Sequence, residues 1–177
     1  LQDFQNGGRM ILFLLGPSVV ALALPLYQRR QEIFKRKLPI LIGIVAGALS
    51  SIISAAGITW LLGGSREVVL SLVPKSVTTP IAIGISEKIG GVVPLTAALV
   101  VMTGCIGAIC GPEFCRIIGI RSKAAMGLAV GAASHGIGTA RVLGEDRFAG
   151  AISGLAIGLN GLATALLVPL LWFIFGI

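Results

Sequence analysis

The stretch Val73-Pro74-Lys75-Ser76-Val77-Thr78-Thr79-Pro80 interrupts an apolar segment that is otherwise long enough to cross a membrane. Pro74 and Pro80 lack a backbone N–H, and each pushes the preceding residue away from helical angles. The helix before the stretch is therefore predicted to end near Leu72. Pro80 suits the first position of a new helix, with one of the two preceding threonines as its cap. The sequence predicts two half-helices separated by a polar break.

A second polar stretch, Ser134-His135-Gly136-Ile137-Gly138-Thr139-Ala140-Arg141, interrupts a later apolar segment. Its two glycines supply the flexibility that proline supplies in the first stretch, and Thr139 can cap the helix that follows. Polar, non-helical backbone at membrane depth survives only where it is buried in protein or lines a cavity. Both breaks are therefore candidate binding elements for a small anionic solute.

The composition is that of an integral membrane protein. The chain is 55% hydrophobic and 12% charged, and its mean hydropathy is +0.99, whereas soluble domains carry roughly 25% charged residues. Its 25 glycines fit closely packed membrane helices. We predict an all-α fold that forms a single multi-pass membrane domain over residues 1–177.

The net charge of +7 is concentrated rather than spread over the chain. Five cations cluster between two apolar segments, which is typical of a cytoplasmic loop and also favours contact with anionic lipid. The pattern argues against nucleic-acid binding. These cations are Arg29, Arg30, Lys35, Arg36 and Lys37.

The hydropathy pattern predicts about six membrane segments, two of them discontinuous helices. The segments are Met10–Tyr27, Leu38–Leu62, Val68–Lys88, Val92–Gly111, Ala124–Leu143 and Phe148–Phe175. In this topology Arg116, Arg121 and Lys123 fall on the presumed outer side and weaken the charge bias, so the orientation stays open. Because the chain begins at Leu1 without a methionine, we expect further N-terminal spans in the full-length protein.

A weak internal repeat relates the two interrupted segments. Three matched pairs are each 59 residues apart (146 − 87, 147 − 88 and 150 − 91), and chance matches are the alternative in a glycine-rich chain. Repeated units with discontinuous helices near the midplane are typical of transporters. The pairs are Glu87 with Asp146, Lys88 with Arg147, and Gly91 with Gly150.

The cations and hydroxyls of the breaks form the predicted site. An unpaired Lys75 at bilayer depth costs about 2.5–3.5 kcal/mol, which an incoming carboxylate would offset; the alternative is a lysine that reaches the interface beside a simple kink. His135 either carries a proton near physiological pH or is a hydrogen-bonded packing residue. Arg141 either binds the anion or anchors the end of a helix. The candidate substrate-binding residues are Lys75, Ser76, Thr78, Thr79, His135, Thr139 and Arg141.

Four motifs together resemble the LrgB/CidB family of membrane proteins. They are Leu14–Tyr27, Leu72–Ala82, Gly90-Gly91 followed by Pro94-Leu95-Thr96-Ala97, and Ala133–Arg141. The resemblance implies an additional N-terminal hydrophobic region. It implies antiholin-like control of murein hydrolases together with a small holin-like partner, LrgA or CidA. It also implies transport, since the plastid relatives carry glycolate and glycerate, and bacterial members are linked to pyruvate.

We therefore expect a carrier for small 2-hydroxy or 2-oxo monocarboxylates in the bacterial plasma membrane, acting with a holin-like partner. The alternative is an antiholin-like regulator of murein hydrolase activity and cell lysis. We expect no enzymatic activity, cofactor or metal, because the sequence holds no paired mid-span carboxylates, metal-ligand cluster or phosphate-binding loop. The sequence does not decide between a monomer and a homo-oligomer.

Overall fold

The computed structural model describes residues 30–175 together with Leu24, Tyr27 and Gln28. Most of the first predicted segment, Met10–Tyr27, therefore lies outside the described residues. The described chain is helical throughout, with short connections. Its helices are α1 Arg30–Lys35, α2 Lys37–Leu61, α3 Arg66–Leu72, α4 Thr79–Ile89, α5 Val93–Ile117, α6 Lys123–Glu145 and α7 Arg147–Phe175.

Three of the described helices are long and apolar enough to cross a membrane: α2, α5 and the Arg147–Leu171 part of α7, each over 25 residues. Their outward faces carry large exposed apolar side chains such as Ile42, Ile109 and Leu166. Such faces suit hydrocarbon and not water. The chain is thus a membrane protein with three candidate spanning helices in its described part.

The packing contacts fix the directions of these helices. Ile40 and Ile44, near the start of α2, share a core cluster with Ile152 near the start of α7. Ile52 and Val168, further along the same two helices, share another cluster. Helices α2 and α7 therefore run parallel. The end of the molecule at which both begin is called the basic end below, and the other is called the opposite end.

The first polar stretch turns the chain back on itself. The residues after α4 return to α3: the Val92 N–H donates to Ser71 Oγ at 2.8 Å, and a Cβ on Gly91 would lie 3.1 Å from the Ser71 nitrogen. Leu70 and Ile89 also share a core cluster. Helices α3 and α4 with the connecting Val73–Thr78 therefore form hairpin 1, whose base lies at the opposite end.

The second polar stretch reverses the chain within α6. His135 has φ 43° and ψ −135°, outside helical angles. A Cβ on Gly138 would lie 2.9 Å from Val130 Cγ1, although eight residues of continuous helix span about 12 Å. Lys123 Nζ also lies 3.8 Å from Asp146 Oδ2. The two arms of α6 form hairpin 2, whose base lies at the basic end.

These reversals correct the prediction of six membrane segments. The predicted segments Val68–Lys88 and Ala124–Leu143 do not cross in one direction, because each returns to the end from which it started. Composition alone does not show whether the chain continues across the membrane after a polar stretch or turns back. The expected cap is corrected as well: Thr139 lies inside the second arm of hairpin 2, and its hydroxyl bonds the carbonyl of His135.

The arms of both hairpins are shorter than the roughly 20 residues that cross a membrane, with 7 residues in α3 and 11 in α4. The arm from Lys123 to Ser134 is about 18 Å long at 1.5 Å per residue, which is roughly half of the 30 Å hydrocarbon core. Close approach to α5 depends on glycine, since a Cβ on Gly107 would lie 1.6 Å from Ser134 Oγ and one on Gly104 would lie 2.7 Å from His135 Cε1. A hairpin followed by a spanning helix thus occurs twice, with helix starts 57 residues (123 − 66) and 54 residues (147 − 93) apart.

Replacing Gly127 by alanine should destabilise the fold. A Cβ there would lie 2.2 Å from the Ala149 carbonyl oxygen, so α6 and α7 must move apart, and overpacking of this kind costs about 1–3 kcal/mol. Gly154→Ala is the matched control, because no atom lies within 4 Å of its Cβ position. We expect a lower thermal unfolding midpoint in detergent for Gly127→Ala only, and equal midpoints would contradict the described packing.

Candidate functional site

A cavity of about 660 Å³ lies where the tip of hairpin 1 meets hairpin 2. Its walls come from α2, from α5 and from the first arm of hairpin 2, and Lys75 supplies its cationic group. The volume is within the 300–1,000 Å³ typical of small-molecule sites. The polar or charged residues of the lining are Ser50, Ser51, Ser54, Lys75, Ser76, Thr103 and Ser134.

The Lys75 ammonium is held by hydroxyl groups. Its Nζ donates to Ser51 Oγ at 3.2 Å and to Ser76 Oγ at 3.1 Å, and the two hydroxyl oxygens lie 2.8 Å apart. Ser51 belongs to α2 and Ser76 to the tip of hairpin 1. These contacts orient the cation without neutralising it, because serine hydroxyls are uncharged.

No carboxylate among the described residues lines this cavity or forms an ion pair with Lys75. The described acidic side chains lie at the helix ends instead. The side chain of Lys75 is half-buried, so the cavity carries a net positive charge at the level of the hairpin tips. Such a chamber favours an anion.

Asn160 of α7 joins the two hairpins. Its Nδ2 donates to the carbonyl of Ser76 at 3.0 Å and to the carbonyl of Ala132 at 2.9 Å. The side chain is 1% exposed, and its Oδ1 is buried without a hydrogen-bond partner. Asn160 was not among the residues predicted from the sequence. The sequence feature that could have identified it is an amide side chain in the middle of an apolar span. Polar side chains are rare there, and those present have a functional or structural role.

His135 and Thr139 stabilise the tip of hairpin 2 instead of lining the cavity. The His135 Nε2 lies 3.0 Å from the Val100 carbonyl oxygen. The Thr139 hydroxyl donates to the His135 carbonyl at 2.7 Å and lies 2.7 Å from Ser153 Oγ. Both side chains are buried. Their neighbour Ser134 supplies the only hydroxyl that this tip, as described, contributes to the cavity lining.

Arg141 lies apart from Lys75, in a cluster of charges at the basic end. Its Nη2 is 2.9 Å from Glu113 Oε1 and 2.9 Å from Glu145 Oε1, and Arg116 bonds both carboxylates as well. The structure therefore does not bring Arg141 into one site with Lys75. The reversal at His135 explains this, because it directs the second arm of hairpin 2 away from the cavity.

Thr78 and Thr79 also lie outside the cavity lining. Thr78 occupies the position before α4, but its hydroxyl makes no capping hydrogen bond. Pro80 is the second residue of α4, one place after the predicted first position. Of the seven candidate residues, the structure brings together Lys75 and Ser76.

The α2 side of the cavity was not predicted from the sequence. Its small and polar residues recur at helical spacing along one face, which is the pattern that a helix shows toward a polar neighbour. They are Gly43, Gly47, Ser50, Ser51 and Ser54.

Comparison with known proteins gives one family. The sequence model of the LrgB-like family matches residues 1–174. The chain is 38% identical to the uncharacterized protein YxaC of Bacillus subtilis over 99% of its own length and 76% of the relative. It is 33% identical to the holin-like protein CidB of Staphylococcus epidermidis over 98% and 76%. No solved structure matches the chain significantly.

The backbone at His135 yields a paired stability prediction. A positive φ with extended ψ favours glycine and costs other residues about 1–3 kcal/mol. Both His135→Ala and His135→Gly lose the contact with Val100, but only glycine relieves the strain. We expect His135→Gly to be more stable than His135→Ala by about 1 kcal/mol in detergent unfolding.

A helical position two residues after His135 provides the control. At Ile137, whose φ is negative, the order should reverse, since glycine is about 1 kcal/mol worse than alanine inside a helix. The same order at both positions would contradict the reversal at His135.

Proposed function

The chain belongs to the LrgB-like family, and we propose that it is a membrane carrier for small monocarboxylate anions rather than an enzyme. The observation that carries this proposal is the Lys75 ammonium, which reaches a 660 Å³ cavity with hydroxyl partners and without a carboxylate partner among the described residues. We propose that it acts as a single membrane domain in the bacterial plasma membrane.

The energetics of the lysine favour a transient anionic ligand. An ammonium at this depth costs about 2.5–3.5 kcal/mol on insertion scales, and the two serine hydroxyls recover only part of its lost hydration. A permanent carboxylate partner would neutralise the chamber and remove its preference for anions. A ligand carboxylate would pair with Lys75 while it is bound and leave when the site is exposed to water again.

The arrangement of the backbone favours a carrier over a protein whose interior serves packing alone. Two hairpins enter from opposite ends, and their tips meet at the cavity. Transporters commonly place their sites near the midplane between repeated units whose helices are interrupted there. In this proposal the predicted broken helices are these hairpins, and the helix that starts at Thr79 directs its N-terminus toward the tip region.

The ligand class follows from the groups beside the cation. In the proposed pose, Lys75 binds the carboxylate, and Ser51, Ser76 or Ser134 bonds a hydroxyl or oxo group on the adjacent carbon. Glycolate and pyruvate are the smallest anions of this kind, and the resemblance to plastid glycolate/glycerate carriers supports the choice. A holin-like membrane protein is the proposed partner, by the same resemblance.

Uptake of labelled pyruvate or glycolate into proteoliposomes tests the proposal. Lys75→Gln should lower uptake by about 10- to 150-fold, since a charge-assisted hydrogen bond contributes about 1.5–3 kcal/mol. Arg141→Gln is the matched control, because Arg141 pairs with Glu113 and Glu145 at the basic end and does not line the cavity. It should transport as the parent protein does.

Two results would reject the proposal. Saturable uptake that is unchanged in Lys75→Gln would remove the role of the cation, and loss of uptake in Arg141→Gln alone would move the site to the basic end. Absence of uptake of either anion by the parent protein, reconstituted with and without a holin-like partner, would reject the substrate class.

A second candidate function is control of cell lysis. The relative from Staphylococcus epidermidis bears the name holin-like protein CidB, and the exposed apolar faces of α2, α5 and α7 offer helix surfaces for a membrane partner. In this role the chain would associate with a holin-like protein and regulate murein hydrolase activity, without saturable transport.

The lysis function makes a separate prediction. Deletion should alter the release of wall hydrolases into the medium, as measured by zymography, and the chain should co-purify with a holin-like protein. Complementation with Lys75→Gln should restore release fully, because helix contacts do not need the cation. If only a transport-competent chain restores release, lysis control follows from carboxylate transport.

A further inference from the structure

The two ends of the molecule differ strongly in positive charge. Within residues 30–175, two basic residues lie at the opposite end, Arg66 and Lys88, next to the base of hairpin 1. At least eight lie at the basic end, on the approaches to α2 and α7, at the end of α5 and on hairpin 2. They are Lys35, Arg36, Lys37, Arg116, Arg121, Lys123, Arg141 and Arg147.

This asymmetry appears only once the hairpins are recognised. If each polar stretch continued across the membrane, Arg116, Arg121 and Lys123 would face away from Lys35, Arg36 and Lys37. Because hairpin 1 returns to its own end, these residues lie together at the basic end. Short loops rich in lysine and arginine stay in the cytoplasm, so the charge distribution orients the basic end inward.

The cavity extends toward this same end. Its lining begins at Gly43 on α2 and at Ala125 on hairpin 2, and Ala125 stands only two residues after Lys123. From there the lining runs along one face of α2 and one arm of hairpin 2 up to the two tips. Hairpin 1 contributes only its tip to the lining, through Lys75 and Ser76.

The opposite end is closed around hairpin 1. Ser86 and Thr96 hydroxyls lie 2.7 Å apart between α4 and α5, both fully buried. The Ser71 hydroxyl donates to the Glu67 carbonyl at 2.7 Å and accepts from the Val92 N–H. An apolar cluster fills the space between this hairpin, α2 and α7. It comprises Ile52, Leu70, Val73, Ile85, Ile89 and Val168.

We propose that the cavity is open to the cytoplasm in this conformation and that hairpin 1 separates its cation from the outside. That the cavity is a substrate site rests on the proposed carrier function. The side from which the cavity is open follows from the geometry alone and does not depend on any substrate. In a transport cycle, release on the outer side would then require hairpin 1 to leave α5, with the Ser86–Thr96 contact broken.

Cysteine labelling in the full-length protein tests the proposal. In a background with every native cysteine replaced by serine, single cysteines are placed at three exposed positions. Arg121→Cys marks the basic end, Glu87→Cys marks the opposite end, and Ala129→Cys lies in the cavity. Ser50→Cys is a second cavity position, in case Ala129→Cys fails to fold. A membrane-impermeant sulfonated maleimide is applied to intact cells and to inside-out vesicles.

We expect Arg121→Cys and the cavity cysteine to react in inside-out vesicles and not in intact cells, and Glu87→Cys to show the reverse. Labelling of Arg121→Cys in intact cells would overturn the orientation. A cavity cysteine that reacts from the side of Glu87→Cys, or from neither side while both markers react, would overturn the access route. Absence of pyruvate or glycolate uptake with the expected labelling would reject the carrier function and leave the topology intact.

Discussion

The non-helical backbone at the two hairpin tips must find its hydrogen-bond partners inside the protein, because hydrocarbon offers none. The side-chain amide of Asn160 donates hydrogen bonds to the backbone carbonyls of both Ser76 and Ala132. The tip of hairpin 2 is secured by the contact of His135 with Val100 and by the Thr139 hydroxyl. These bonds hold the two tips inside the helix bundle, with the cavity between them.

Local chemistry made the boundaries of the hairpin 1 tip predictable. Proline acts on its own residue and its predecessor, so the sequence located the end of α3 at Leu72 and the start of α4 beside Pro80. The direction of return was not predictable, because it depends on contacts such as that between Ser71 and Val92, which are distant in sequence. At the second break the reversal falls on His135 and not on a glycine, since tertiary bonds compensate for its strained backbone.

The part of the cavity lining that comes from the first polar stretch was predictable, whereas the part that comes from other segments was not. Lys75 and Ser76 were candidates because a cation and a hydroxyl beside two prolines are anomalous in an apolar segment, and both line the cavity. Arg141 was misplaced, since its carboxylate partners Glu113 and Glu145 become its neighbours only through folding. The serines of α2 were missed because single hydroxyls in a long apolar helix resemble ordinary packing residues until a facing cavity is known.

The element order carries a consequence for the origin of the fold. Each unit, a hairpin followed by one spanning helix, crosses the bilayer an odd number of times, because the hairpin adds no net crossing. A tandem copy of such a unit is inserted upside down relative to the first. Duplication of one ancestral segment would therefore generate, without further change, two tips that approach each other from opposite leaflets, with Lys75 on one and His135 on its counterpart.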